Sequence, residues 1–298
     1  MSSLVIIGNG FDLYHGFKTS YKDFKDYLTS NFSVDESDAL IPSAYYGDYD
    51  ENEVVSYIVQ VLNNVLGDNW GDLETALGYS LYDELSFDLR DINIDDKDSK
   101  IDEDYNLNSQ LSSDLNFTFS EMKRLFYKWV HEELTKIPTC LKGSPDIYNG
   151  LKKIKDAYFL SFNYTYTLEK LYGIQDVLHI HGTVDSLDEE IRFGHNDTTE
   201  VTEQLKNVWG VEELDSLKRY LYKDTDNAIE NHKVFFAQLD SVTDIFSFGF
   251  SFSEPDQHYL DEIDRHAKNI TWHLNQYDYE KYKKTIEKRG YRVGEAIW

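Results

Sequence analysis

The chain opens with an apolar run, Leu4-Val5-Ile6-Ile7, that does not alternate with polar residues and stops at Gly8-Asn9-Gly10-Phe11-Asp12. Such a run reads as a strand buried on both faces, and glycines at its carboxyl end let the backbone turn tightly against a ligand. Further strand-like runs cover 157–162, 177–181, 191–194, 244–248 and 270–274. Between several of them, apolar residues at helical spacing predict helices over 167–172, 227–239, 255–267 and 279–289. Alternating strands and helices imply crossover connections, so the fold class is α/β, Rossmann-like, with a mostly parallel sheet.

The middle of the chain has a different period. Thr19 and Ser20 offer hydroxyl caps before Tyr21, Phe24 and Leu28 at helical spacing. Val54, Ile58, Val61, Leu62 and Val65 make one apolar stripe, and Trp70, Leu73, Leu77 and Leu81 another. From Asp88 to Asn116 the chain is acidic and poor in apolar residues, which reads as a solvated loop or a disordered excursion. Met122, Leu125, Phe126, Trp129, Val130 and Leu134 restore helical spacing before Pro138 ends it. The expected organisation is a nucleotide-binding core from 1–30 and 151–298, with a mainly helical insertion over 31–150 that carries the acidic loop near 88–116.

Composition narrows the partners. Of the 298 residues, 41% are hydrophobic, and 23 Tyr, 17 Phe and 5 Trp are enough to pack a large core. A net charge of -26 repels phosphate backbones and anionic headgroups over most of the surface, which disfavours nucleic acid and membrane partners. Cys140 is the only cysteine, so an intrachain disulfide and a cysteine-built zinc site are excluded, as suits a reducing cytoplasm. The acidic loop lacks the glycine and terminal glutamate of a calcium-binding hand, and no metal is expected. With no basic leader and no apolar stretch of roughly 20 residues, the chain reads as soluble and unexported.

In open α/β sheets ligands sit outside the carboxyl ends of the strands. Those ends carry Gly8-Asn9-Gly10-Phe11-Asp12, Asn163-Tyr164-Thr165, His181-Gly182-Thr183, Gly194-His195-Asn196-Asp197 and Gly249-Phe250-Ser251. One rim would thus collect amides, hydroxyls, two imidazoles and glycines that permit close approach. A P-loop is absent, the three-glycine dinucleotide fingerprint is incomplete, and Gly249-Phe250-Ser251-Phe252-Ser253 lacks the last glycine of a nucleophile elbow.

Taken in order, Asn9-Gly10-Phe11-Asp12-Leu13, His15-Gly16, Thr19-Ser20-Tyr21 with Phe24, Trp70-Gly71-Asp72-Leu73-Glu74, Phe162-Asn163-Tyr164-Thr165, His179-Ile180-His181-Gly182, and Gly249-Phe250-Ser251-Phe252 with Asp256 resemble the AbiH-type bacteriophage abortive-infection proteins. A more distant similarity runs to the sirtuin-like fold of NAD-consuming enzymes. It implies that Gly8, Asn9, Gly10 and Phe11 form a phosphate-binding turn, Asn163 is the active-site asparagine, His181 the catalytic histidine, and Gly249 with Ser251 a later cofactor-contacting loop. Asn9 stands where the sirtuin-like turn usually has a small residue, and Thr165 where a carboxylate commonly follows Asn-Tyr. Without zinc-binding cysteines, protein deacylation is not implied.

The expected function is therefore phage defence through binding and hydrolysis of NAD+ as substrate. Asn163 would position water and ribose hydroxyls while neutral His181 acts as general base. Thr165 and Gly182 would border the same pocket, and Asp12 would either organise the turn or bind a ribose hydroxyl. Structural roles stand beside these: Asn163 as a helix cap, His179 as a support, His195 and Asn196 as loop contacts, Trp70 as packing, with Glu74 open between packing and covering the ligand. The partners implied are the nucleotide, a phage trigger or protein of unknown identity, and further copies of the chain. The rivals are a non-catalytic nucleotide sensor and, with the charge against it, a nuclease toxin.

Overall fold

In the computed structural model, residues 2–35, 39–65, 70–78, 101–136, 144–154, 156–205 and 208–295 are described. The chain groups into two compact units, one made of Met1–Ser20, Val130–Arg192 and Asp224–Trp298, the other of Tyr21–Trp129 and Phe193–Lys223.

The first unit holds the whole sheet. Its strands are β1 (Ser2–Ile7), β2 (Ala157–Ser161), β3 (Val177–His179), β4 (Val242–Phe248), β5 (Thr271–Leu274) and β6 (Arg292–Glu295). All neighbours run parallel, in the order β3-β2-β1-β4-β5-β6. The chain therefore steps outward from β1 to β3 and returns to β1's other side for β4 to β6, which puts the topological switch point between β1 and β4. Alternate residues of the strands feed two cores. Val5, Ile7, Phe159, Phe246 and Phe248 pack with Phe11 and with Ile147, Leu151, Leu168 and Tyr172 from helices Pro145–Lys153 and Thr167–Tyr172. Leu4, Ile6, Leu160, Ile245, Trp272 and Leu274 pack with Phe236, Leu260, Ile263 and Ile286 from the helices that follow β3, β4 and β5. Burial on both faces explains why β1 reads as an unbroken apolar run.

The second unit is helical. Helix Glu51–Asn64 starts where Asp50 accepts hydrogen bonds from the amides of Asn52 and Glu53, and it buries Val54, Val55, Ile58, Val59 and Leu62. Phe24, Trp70, Phe126, Trp129 and Phe193 form a continuous aromatic core with ring centroids 4.2 to 6.4 Å apart.

The structure corrects three expectations. Residues 101–116 are not a solvated loop but the first half of a 32-residue helix, Ile101–Glu132. Within it Asn108 and Ser112 are buried because a distant segment satisfies them: Asn108 Nδ2 donates to the Trp209 carbonyl at 3.0 Å and Ser112 Oγ to that of Gly210 at 3.1 Å. The run 191–194 is not a strand, because Gly194 adopts φ +142 where the chain presses against the Leu221 carbonyl. The helix expected over 227–239 is broken at His232 into Thr225–Asn231 and Lys233–Gln238. Leu81, residues 88–100, Pro138 and Cys140 lie outside the described residues. Among those described, no helix is long and apolar enough to cross a membrane.

Candidate functional site

Two glycine turns meet at the switch point. The amide of Gly8 donates to the Phe248 carbonyl, that of Gly10 to the Gly249 carbonyl, each at 3.0 Å, and that of Phe11 to Gly8 O at 2.9 Å. A Cβ on Gly8 would lie 2.5 Å from Gly249 O, one on Gly10 2.6 Å from Gly249 Cα, and one on Gly249 2.3 Å from the Phe11 nitrogen. These glycines bring backbone against backbone, and their amides are bonded within the fold. Asp278 takes the Gly249 amide at 2.7 Å, and burial raises its carboxyl pKa. The side chain of Asn9 accepts from Thr19 Oγ1 at 2.6 Å, and Ser251 sits half-buried in the loop after β4.

The turn after β2 is fastened to the turn after β1. Asn163 Nδ2 donates to Gly8 O at 3.1 Å, and Ser161 Oγ accepts the Asn163 amide at 3.1 Å. Asn163 is 5% exposed, and its Oδ1 is buried with no hydrogen-bond partner. Beneath it, Asp12 accepts from Thr165 Oγ1 at 2.5 Å and Thr167 Oγ1 at 2.6 Å. Desolvation outweighs these hydrogen bonds and lifts the Asp12 pKa to about 6. The hydroxyl of Thr165 and the carboxyl of Asp12 are thus hydrogen-bonded to each other.

His181 follows β3. Its ring meets Phe162 edge-on at 5.1 Å and lies 6.4 Å from Tyr164 and 5.7 Å from Tyr259, so it packs against both neighbours of Asn163 in the chain. Its Nε2 faces Asp256 Oδ1 at 3.3 Å, with both side chains almost fully buried. Gly182 turns the chain away at φ +85, where a Cβ would meet Glu190 O at 2.9 Å. His179 lies elsewhere: Nδ1 donates to the Asn163 carbonyl and Nε2 pairs with Glu169, each at 2.8 Å, so it braces the asparagine loop.

A family model described as bacteriophage abortive infection AbiH matches residues 4–276, from β1 to just beyond β5. The chain belongs to the AbiH family. No curated protein and no solved structure gave a match. Membership implies a role in abortive infection of bacteriophage.

In this AbiH-family protein the site residues read from sequence divide by position. Gly8, Asn163 and Asp12 are linked through hydrogen bonds, and His181 joins them through the residues flanking Asn163. The carboxylate of Asp256, which the sequence reading placed in the family pattern without a role, is the one set against His181. Ser253-x-x-Asp256 before an apolar-periodic helix is a capping signature, which points to a helix start and not to a histidine partner. His195, Asp197, Glu74 and Lys223 belong to the helical unit. There burial lowers the His195 pKa to about 4, and the neutral ring donates from Nε2 to the Lys218 carbonyl and accepts the Asp197 amide at Nδ1. Glu74 packs as a buried ion pair, with both oxygens 3.0 Å from Lys223 Nζ. Among the described residues no group of three or more His, Cys, Asp or Glu side chains could hold a metal ion.

Proposed function

We propose that this AbiH-family protein acts in phage defence by binding NAD+ and hydrolysing its nicotinamide–ribose bond. The observation that carries the reading is Asn163 Oδ1, a buried acceptor without a partner, held over Gly8 at the carboxyl edge of a parallel sheet, with the His181 ring packed against the chain neighbours of Asn163, Phe162 and Tyr164. A buried polar atom without a partner is costly by about 1–3 kcal/mol, and a ligand hydroxyl or water recovers it.

In the reaction the C1′–N bond breaks and its electron pair passes to the pyridinium nitrogen, releasing neutral nicotinamide. The ribose carbon develops oxocarbenium character and takes the oxygen of water. His181 accepts the proton that water loses, and Asn163 Oδ1 orients that water or a ribose hydroxyl. Because the amides of Gly8, Gly10 and Phe11 are bonded within the fold, the nucleotide lies over the rim and not inside the turn.

Incubating the purified protein with NAD+, NADP+ and ATP, followed by chromatography of the products, tests this. Nicotinamide and ADP-ribose in equal amounts from NAD+ are expected. Stoichiometric nucleotide binding without nicotinamide would overturn hydrolysis in favour of a sensor.

A further inference from the structure

We infer that Asp256 is the positioning residue of His181, fixing which ring nitrogen carries the proton and which accepts one. This rests on the reading of His181 as the base.

Asp256 ends the 3-10 turn Glu254–Asp256, which leads directly into helix Gln257–His266. Its side chain makes no capping hydrogen bond. Oδ1 lies at ion-pair distance from His181 Nε2, 3.3 Å, without the geometry of a hydrogen bond, and Oδ2 accepts from Ser253 Oγ at 3.1 Å. The loop is built to hold that direction. Phe252 sits at φ +54 with its ring against Phe250, Trp272 and Tyr282 at 4.9, 5.4 and 4.9 Å. Gln257 Nε2 donates to the carbonyls of Phe252 and Ser253, closing the turn.

The chemistry follows from the atoms. With its proton on Nε2, facing the carboxylate, the neutral ring carries its lone pair on Nδ1. When Nδ1 takes the proton of water, the imidazolium that forms stands beside a carboxylate in a site with little water to screen it. The phenols of Tyr164 and Tyr259 also face the ring, and Tyr164 donates its proton to the Arg192 carbonyl at 2.8 Å. Asp256 is thus the carboxylate that the structure sets against His181.

The test is the titration of His181 by 1H–15N NMR in the full chain, with its signals assigned by difference from His181→Gln. In the wild type the neutral ring is expected as the Nε2–H tautomer. Asp256→Asn should lower its titration midpoint by about one pH unit, and Ser253→Ala should shift it the same way by less. Nicotinamide release should fall about tenfold in Asp256→Asn, with its acid limb moved to lower pH by the same amount and KM for NAD+ unchanged. If Asp256→Asn does not fold, Ser253→Ala carries the comparison. An unchanged tautomer and midpoint in both variants would overturn the inference. A shift in midpoint with no nicotinamide release by the wild type would instead remove the hydrolase reading and leave the pairing in place.

Discussion

Asn163 donates its side-chain amide to the Gly8 carbonyl at 3.1 Å, joining the end of β2 to the end of β1 across 155 positions of sequence. The bond fixes the amide plane, so the free Oδ1 has a set direction. Asn163→Ala removes both the tether and the acceptor. Stability is expected to fall by about 1 kcal/mol in urea denaturation, with nicotinamide release lost altogether. A variant that keeps wild-type turnover would show that this acceptor is not used.

The central strands were legible from the chain, because β1 is an unbroken apolar run and β2 and β4 carry Phe, Leu and Ile in short apolar stretches. β6 was not, since Arg292, Gly294 and Glu295 read as solvent-facing and pair only with β5 at the sheet edge. The helix over 101–116 was hidden because its buried Asn108 and Ser112 are satisfied by carbonyls of Trp209 and Gly210, about a hundred residues away. The family resemblance gave roles to His181 and Asn163 and named Asp256 without one. The partnership of His181 with Asp256, 75 positions on, belongs to the fold: nothing in the local sequence around Asp256 marks which distant side chain it will meet.

The close approach of the two glycine turns predicts a contrast between glycines. Gly249 adopts φ +66, and an added Cβ would lie 2.3 Å from the Phe11 nitrogen. Gly16 adopts φ +76 with nothing within 4 Å. Gly249→Ala should destabilise by on the order of 3 kcal/mol or more, and Gly16→Ala by about 1 kcal/mol from backbone strain alone. Equal losses in chemical denaturation would refute the packing of turn on turn.

Asp12 makes a pH prediction with a definite sign. Its folded pKa of about 6 lies above the ordinary 3.8, so between these values the fold binds a proton that the unfolded chain releases. Stability from this group is therefore highest at low pH and declines as pH rises through about 6. Relative to Asp12→Asn, the wild type should lose about 1 kcal/mol between pH 5.2 and 7.5. Parallel pH profiles of the two proteins would contradict this.

In the helical unit, Lys223 and Glu74 are buried as an ion pair. Lys223→Met leaves the Glu74 carboxylate without its cation and should destabilise by about 3–5 kcal/mol. The double variant Glu74→Gln, Lys223→Met should recover much of that loss. A single variant as stable as the wild type in urea would show that the pair carries no net stabilisation.

The central claim is that Asn163 and His181 form one catalytic pocket for NAD+. Its most direct measurement is nicotinamide release by the wild type, Asn163→Ala and His181→Ala, with folding of each checked by circular dichroism. The account predicts turnover by the wild type and none by either folded variant. Nicotinamide released by folded His181→Ala at the wild-type rate would contradict it.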